Sequence, residues 1–264
     1  MDLYNLDNIG LPDVKALSDR LSYVPAERTP LSSDIGIIKG DRRIYLYDVG
    51  STLGDLKFLH SLPDTKSIII SHFHGDHTWW LSDHKHGEHG VADDDNISTA
   101  YDRPRYHALY VSPVSAKYVL PQDICTSESD SSGPDTDHAH VPGITDPSRG
   151  HGSHVLVREA LDIADGVRLR IVPLPCTHCK GSLALLVDDD FALLGDATYP
   201  NKVNGVTFYN AQLLKSEIEL LETFSADCFC LSHDTKFVRP KKVVLRQLKS
   251  VYDSWDRVDS LIRL

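Results

Sequence analysis

The residues that could do chemistry are concentrated in Ser71-His72-Phe73-His74-Gly75-Asp76-His77. In an extended loop His72 and His74 point the same way, because side chains two apart share a face, so both can share one metal ion. Asp76 and His77 are adjacent and diverge, which suits a second ion close by. Imidazole nitrogen combined with carboxylate oxygen is a borderline donor set that suits zinc, with iron or manganese as alternatives. Three further candidates lie downstream. His178 stands in Pro175-Cys176-Thr177-His178-Cys179-Lys180-Gly181-Ser182, Asp196 in Leu194-Gly195-Asp196-Ala197, and His233 follows Ser232. Two zinc ions, one with three histidines and one with two histidines and an aspartate, plus a shared carboxylate, would use all of these residues.

Each candidate follows an apolar, β-branched segment that reads as a strand. Ser67 to Ser71 delivers the histidine motif, Val167–Pro173 precedes His178, Phe191–Leu194 precedes Asp196, and Cys228–Leu231 precedes His233. Further strands are expected at Val14–Ser18, Leu21–Val24, Ile35–Lys39, Arg43–Tyr47, Ala108–Ser112, Val155–Val157 and Leu183–Val187. Thr52 with Asp55 three residues on predicts a capped helix that Pro63 closes. Helices are also predicted from Thr78-Trp79-Trp80-Leu81, over Val114–Leu120, from a Ser216-x-x-Glu219 capping box, and from Lys241 through Val258. Residues 84–105 are polar. Residues 121–152 carry six acids, one base and few apolar anchors, which reads as a long loop or lid.

Composition bounds the function. The chain has 264 residues, 41% hydrophobic and 25% charged, as in an ordinary globular protein. No run of eighteen apolar residues is present, so no membrane span is expected. The first residues are neither basic nor followed by an apolar core, so no signal peptide is expected. Five scattered cysteines are read as reduced thiols and the location as cytoplasmic. A formal charge of −11 argues against a nucleic-acid partner.

The order His-x-His-x-Asp-His, His-x-x-Gly-Ser, Gly-Asp, Ser-His resembles the metallo-β-lactamase-fold hydrolase superfamily, from about Val14 to His233. The Asp48-Val49-Gly50 turn fits the same pattern. The resemblance implies an α/β fold: a four-layer αββα sandwich of two mixed β-sheets, one domain over 1–264 with polar insertions at about 84–105 and 121–152. It implies His72, His74 and His178 on one metal, Asp76, His77 and His233 on the other, and Asp196 bridging. It further implies a metal-bridging hydroxide as nucleophile, with Asp76 orienting it and carrying its proton. True β-lactamases of this fold differ from an aspartate at the bridging position, so antibiotic hydrolysis is not expected. Glyoxalase-II-like thioesterases usually append a helical domain after the last histidine, whereas here about one helix follows His233. The tRNA-processing nucleases of the fold use a basic arm, whereas these insertions are acidic. The expectation is a hydrolase of a small ester-like molecule, a lactone or thioester first. A phosphodiesterase, or an iron enzyme handling oxygen or persulfides, is the alternative.

Around the site, Trp79 can line a pocket, Lys180 can pair with an anionic substrate and Tyr199 can donate to an oxyanion. For Trp79 and Trp80, packing onto the sheet is the favoured role. Cys176 and Cys179 are read as ordinary buried thiols rather than a redox pair. The histidines His84, His86, His89, His138, His140, His151 and His154 are read as solvated loop residues. The insertions are expected to build the pocket or a homodimer contact.

Overall fold

Neighbouring residues in these strands are apolar on both faces, so each sheet must be covered twice. Ile68 and Ile69, adjacent in sequence, enter two different cores. A computed structural model describes residues 6, 9–81, 102–120 and 152–264. The first sheet contains β1 (Lys15–Ala16), β2 (Leu21–Val24), β3 (Ile35–Lys39), β4 (Ile44–Tyr47), β5 (Ser67–Ile69), β6 (Ala108–Val111) and β7 (Ser153–Leu156), in that spatial order. Its strands are antiparallel up to β4 and parallel from β4 to β7. The second sheet contains β8 (Leu161–Ala164), β9 (Arg168–Leu174), β10 (Ser182–Val187), β11 (Phe191–Gly195), β12 (Cys228–Leu231) and β13 (Val238–Pro240). Only its β11–β12 pairing is parallel.

Between the sheets, Tyr45, Tyr47 and Ile69 meet Ile171, Leu183, Leu185 and Leu193. The helices α1 (Leu53–Ser61) and α3 (Pro113–Val119) cover the outside of the first sheet, and α2 (Gly75–Thr78) lies in the histidine motif. There Leu46 and Ile68 pack with Leu56, Leu59, Ala116 and Val119. Outside the second sheet, α4 (Ala211–Thr223) and α5 (Lys241–Asp253) contribute Leu214, Ile218, Leu221, Val244 and Leu248 against Ala184, Leu186 and Leu194. Each such burial contributes about 1.5–3 kcal/mol before chain entropy is counted. The result is the αββα order expected. Among the described residues, no helix is long and apolar enough to cross a membrane.

Thr52 and Asp55 form the expected capping box, and the Asp55 carboxylate also accepts from Ser32 Oγ at 2.6 Å. Other local expectations are corrected. The helix near Ser216 begins earlier, because the Asn210 side chain accepts from Gln212 and Leu213 N–H, leaving Ser216 exposed within the helix. The helix near Thr78 ends there rather than starting, since Gly75–Thr78 is the helical turn. The last helix stops at Asp253, so Trp255 and Val258 lie beyond it, and Val258 is 83% exposed. The first strand shrinks to Lys15–Ala16, both exposed. His154 is no loop residue: it sits buried in β7, 2.9 Å from Tyr106 Oη. A small sheet of Asn201–Val203, Val206–Asn210 and Leu261–Arg263 was not expected, and it packs Tyr209 and Ile262 against the α4–α5 core. The expectations for residues 84–101 and 121–151, with His84, His86, His89, His138, His140 and His151, lie outside the described residues.

Candidate metal centre

Four strands of the sandwich deliver the candidate donors. The β5 strand leads through Ile70 and Ser71 into His72, β9 into the loop of His178, β11 into Asp196 and β12 into His233. Backbone bonds tie these ends together. Leu183 N–H donates to Ser71 O at 2.7 Å across the two sheets, and Ser232 N–H donates to Gly195 O at 3.1 Å. Gly195 has φ +55°, and a Cβ there would stand 2.8 Å from Ser71 Cβ. A glycine is therefore required where the two ligand loops touch.

The seven residues converge into three groups whose donor atoms lie within 4.8 Å of one another: His72, His74 and His178; His72, His77 and Asp196; Asp76, His77 and His233. In the first group His72 Nε2 is 3.0 Å, and His178 Nε2 3.2 Å, from His74 Nδ1. In the third, His233 Nε2 lies 2.9 Å and His77 Nε2 3.5 Å from Asp76 Oδ2. Asp196 faces both ways. Its Oδ2 is 3.4 Å from His178 Nε2, while its Oδ1 is 3.6 Å from His77 Nε2 and 3.8 Å from His233 Nε2. His77 Nε2 and Asp196 Oδ1 are buried without a well-formed hydrogen bond, and His233 Nε2 has only the Asp76 carboxylate, 2.9 Å away and poorly aligned. Buried polar atoms are rarely left so poorly satisfied, so these atoms mark a place where a cation fits.

An outer layer of hydrogen bonds decides which nitrogens face inward. Asp48, 1% exposed, accepts from His77 Nδ1 at 2.7 Å, from Ser71 Oγ at 2.7 Å and from Ser71 N–H at 2.8 Å. A carboxylate only accepts, so His77 carries a proton on Nδ1 and presents Nε2 to the centre. Ser71 spends its hydroxyl proton on Asp48, so its oxygen accepts from His72 Nδ1 at 2.9 Å and frees His72 Nε2 likewise. One buried carboxylate thus sets two tautomers, the usual office of an outer-layer residue at a metal site. Asp48 itself has φ +66° and His233 φ +62°, left-handed conformations rare outside glycine. Asp34 holds the His233 loop by accepting from His233 N–H at 3.0 Å and from Ser232 Oγ at 3.3 Å.

Charge follows this arrangement. Burial first, and then the neighbouring His178 and His77, push His74 down to about 4, and burial with His77 pushes His72 well below the ordinary value. Both are therefore neutral, as metal ligation requires. Burial opposes the charge of Asp76 and Asp196, yet the imidazoles of His77 and His233 outweigh it and hold both carboxyls below the usual range. For His77, burial is outweighed by Asp48, Asp196 and Asp76, which raise it well above 6.5 and favour a second proton, on Nε2, that a bound cation would displace.

The remaining candidates fall outside these groups. Trp79 is half-buried and packs against the α1–α3 core, while Trp80 is buried with its indole N–H on Thr52 O at 3.0 Å. Lys180 is exposed, two residues after His178. The Tyr199 hydroxyl donates to Ser232 O at 2.6 Å, which makes it a strut under the His233 loop. Cys176 donates to Ser182 Oγ at 3.2 Å, and burial pushes its thiol up to about 11 and that of Cys179 up to about 12. Both are inert protonated thiols at neutral pH. The sequence pattern does not single out Asp34, and it includes Asp48 only as part of the Asp48-Val49-Gly50 turn, with no role in holding the histidines. The signal for Asp48 was an acid ending a buried strand beside β5.

No family model matches the chain, and no curated protein does. Solved structures match over most of its length. A metallo-beta-lactamase from Pontibacter korlensis superposes with a TM-score of 0.52 at 14% identity, covering 90% of this chain and 97% of that one. The metallo-beta-lactamase SMB-1, solved with 2-mercaptoethanesulfonate, gives 0.55 at 11% identity, covering 92% and 96%. The stereoselective inverting sec-alkylsulfatase Pisa1 from Pseudomonas sp. gives 0.54 at 14% identity, with 92% of this chain spanning 42% of that one.

Proposed function

From the premise that the chain has the metallo-β-lactamase fold, we propose that it is a binuclear, zinc-dependent hydrolase of a small ester-like substrate, a lactone or thioester. The observation that carries the reading is the division of Asp196 between two donor groups, one oxygen toward His178 and the other toward His77 and His233. His72, His74 and His178 would hold one ion, Asp76, His77 and His233 the other, and Asp196 both. Two divalent ions bound there supply Lewis acidity and make water acidic enough to attack near neutral pH. The chain's own part is to aim and to move protons. Asp48 and Ser71 fix the His77 and His72 rings, and the Pro200 carbonyl 3.4 Å from His178 Nδ1 steers the third. Asp76 remains ionised beside His77 and His233, so its carboxylate is the group placed to accept the proton of the attacking water.

The test is a hydrolysis panel of a lactone, a thioester, an aryl ester, a phosphodiester and a cephalosporin on zinc-loaded protein, with metal content measured alongside. Turnover of the lactone or thioester is expected. Asp196→Ala should lose at least about a hundredfold of it together with one of two bound ions. Silence across the panel with two ions per chain, or full activity in Asp196→Ala, would overturn the reading. Iron retained on purification, with oxygen uptake in place of hydrolysis, would assign the site to redox chemistry.

A further inference from the structure

Rings run in file from the metal centre out to solvent. The His178 and His74 ring centroids are 4.9 Å apart, Phe73 meets His74 edge-on at 5.2 Å, and Tyr118 stacks on Phe73 at 4.2 Å with the planes 15° apart. Exposure rises along the file. His74, His178 and Phe73 are half-buried, and Tyr118, near the end of α3, is 47% exposed. Phe73 lies between two candidate ligands, so its backbone cannot turn the ring away without moving His72 or His74. The helix that carries Tyr118 is fixed to the same loops. Gly181 has φ +78°, and a Cβ there would stand 2.6 Å from Ser112 Oγ and 2.7 Å from Val114 Cβ. The first turn of α3 therefore rests on the backbone that follows His178. An aromatic surface one ring removed from His74 is thus held by the same loops that carry His72, His74 and His178.

We propose that Phe73 and Tyr118 form a specificity-determining shelf that takes the aromatic or long alkyl group of the substrate. The proposal rests on the ester-hydrolase reading above and names the substrate class for it: an ester, lactone or thioester with an apolar arm. Aromatic faces receive such an arm by stacking and by excluding water, and both effects are lost when the ring is cut away. Lys180 is exposed nearby in sequence, but a lysine would favour an acidic arm, so the two surfaces predict opposite preferences.

The decisive experiment needs no turnover. Protein loaded with cobalt(II) is titrated with phenylmethanethiol and with ethanethiol, thiolates being good ligands for such ions, and the visible spectrum reads binding. The parent should bind the aromatic thiol the more tightly. Tyr118→Ala should lower that preference about fivefold, with Tyr118→Leu close behind, while Tyr118→Phe keeps it. A purely structural role would lower the melting temperature of Tyr118→Ala and leave the thiol preference where it was. That result in either Tyr118→Ala or Tyr118→Leu, each with two cobalt ions bound, overturns the shelf. A silent hydrolysis panel with thiol preference intact overturns the ester-hydrolase reading and leaves the shelf standing. A chain that takes up no cobalt overturns both.

Discussion

Glu217 is the least comfortable residue of the fold. It lies on the inner face of α4 beside Leu214, Ile218 and Leu221, with no exposed surface and no partner for either carboxyl oxygen. Burial raises its pKa well above the ordinary 4.5. Its titratable neighbours are Cys176 and Tyr209, each raised first by burial and next by Glu217. The folded carboxyl therefore keeps its proton to higher pH than the carboxyl of the unfolded chain does. Between about pH 4.5 and its folded value, the native state holds one proton more than the unfolded state, so stability falls as pH rises. Within that interval the slope from this one group is about 1.4 kcal/mol per pH unit. Glu217→Gln keeps the shape and removes the proton, so its stability advantage over the parent should widen by about that slope from pH 5 to pH 7. Glu217→Leu should add about 1–3 kcal/mol more at every pH by removing the unsatisfied oxygens. Urea unfolding followed by circular dichroism at pH 5, 6 and 7 reads both differences, and the other titrating groups cancel between parent and variant. A parent-to-Gln gap that stays constant over that range would refute the reasoning, because the carboxyl would then be equally protonated in both states.

Two further predictions concern the centre itself. Asp48→Asn places an amide where His77 Nδ1 and Ser71 both donate, so zinc affinity measured by chelator competition should fall about 10–100-fold, and an unchanged affinity would remove Asp48 from its orienting role. Zinc at about a thousand times its dissociation constant should stabilise the folded chain by about 4 kcal/mol. At about 2 °C per kcal/mol for this size, that is a rise of about 8 °C in calorimetry, reversed by a chelator, and a melting point indifferent to zinc would contradict the donor geometry.

How much of this was legible in the sequence depended on distance along the chain. The strands that carry the candidate donors announce themselves by β-branched runs such as Ser67–Ile70, and the donors that the fold brings together lie a few residues beyond those runs. The Thr52–Asp55 cap was legible because both partners lie within one turn. Helix starts without such a pair were not: Asn210 caps α4 alone, and Ser216 with Glu219 offered a false start inside the helix. The small sheet joins residues 201–210 to 261–263, short segments that become strands only by pairing with each other. Asp34 was beyond reach for the same reason. Its value lies in a bond to Ser232, 198 residues away, which no local pattern encodes.

The two sheets occupy successive stretches of the chain, the first ending at Leu156 and the second beginning at Leu161. His72, His74, Asp76 and His77 belong to the first, and His178, Asp196 and His233 to the second. Neither half owns a complete donor set, so the centre comes into being only when the book closes at the Ser71–Leu183 and Ser71–Gly195 contacts. Ion uptake during refolding is then a clock for that closure. Secondary structure should form before the ion is captured, and capture should keep time with the burial of Tyr45 and Tyr47 between the sheets.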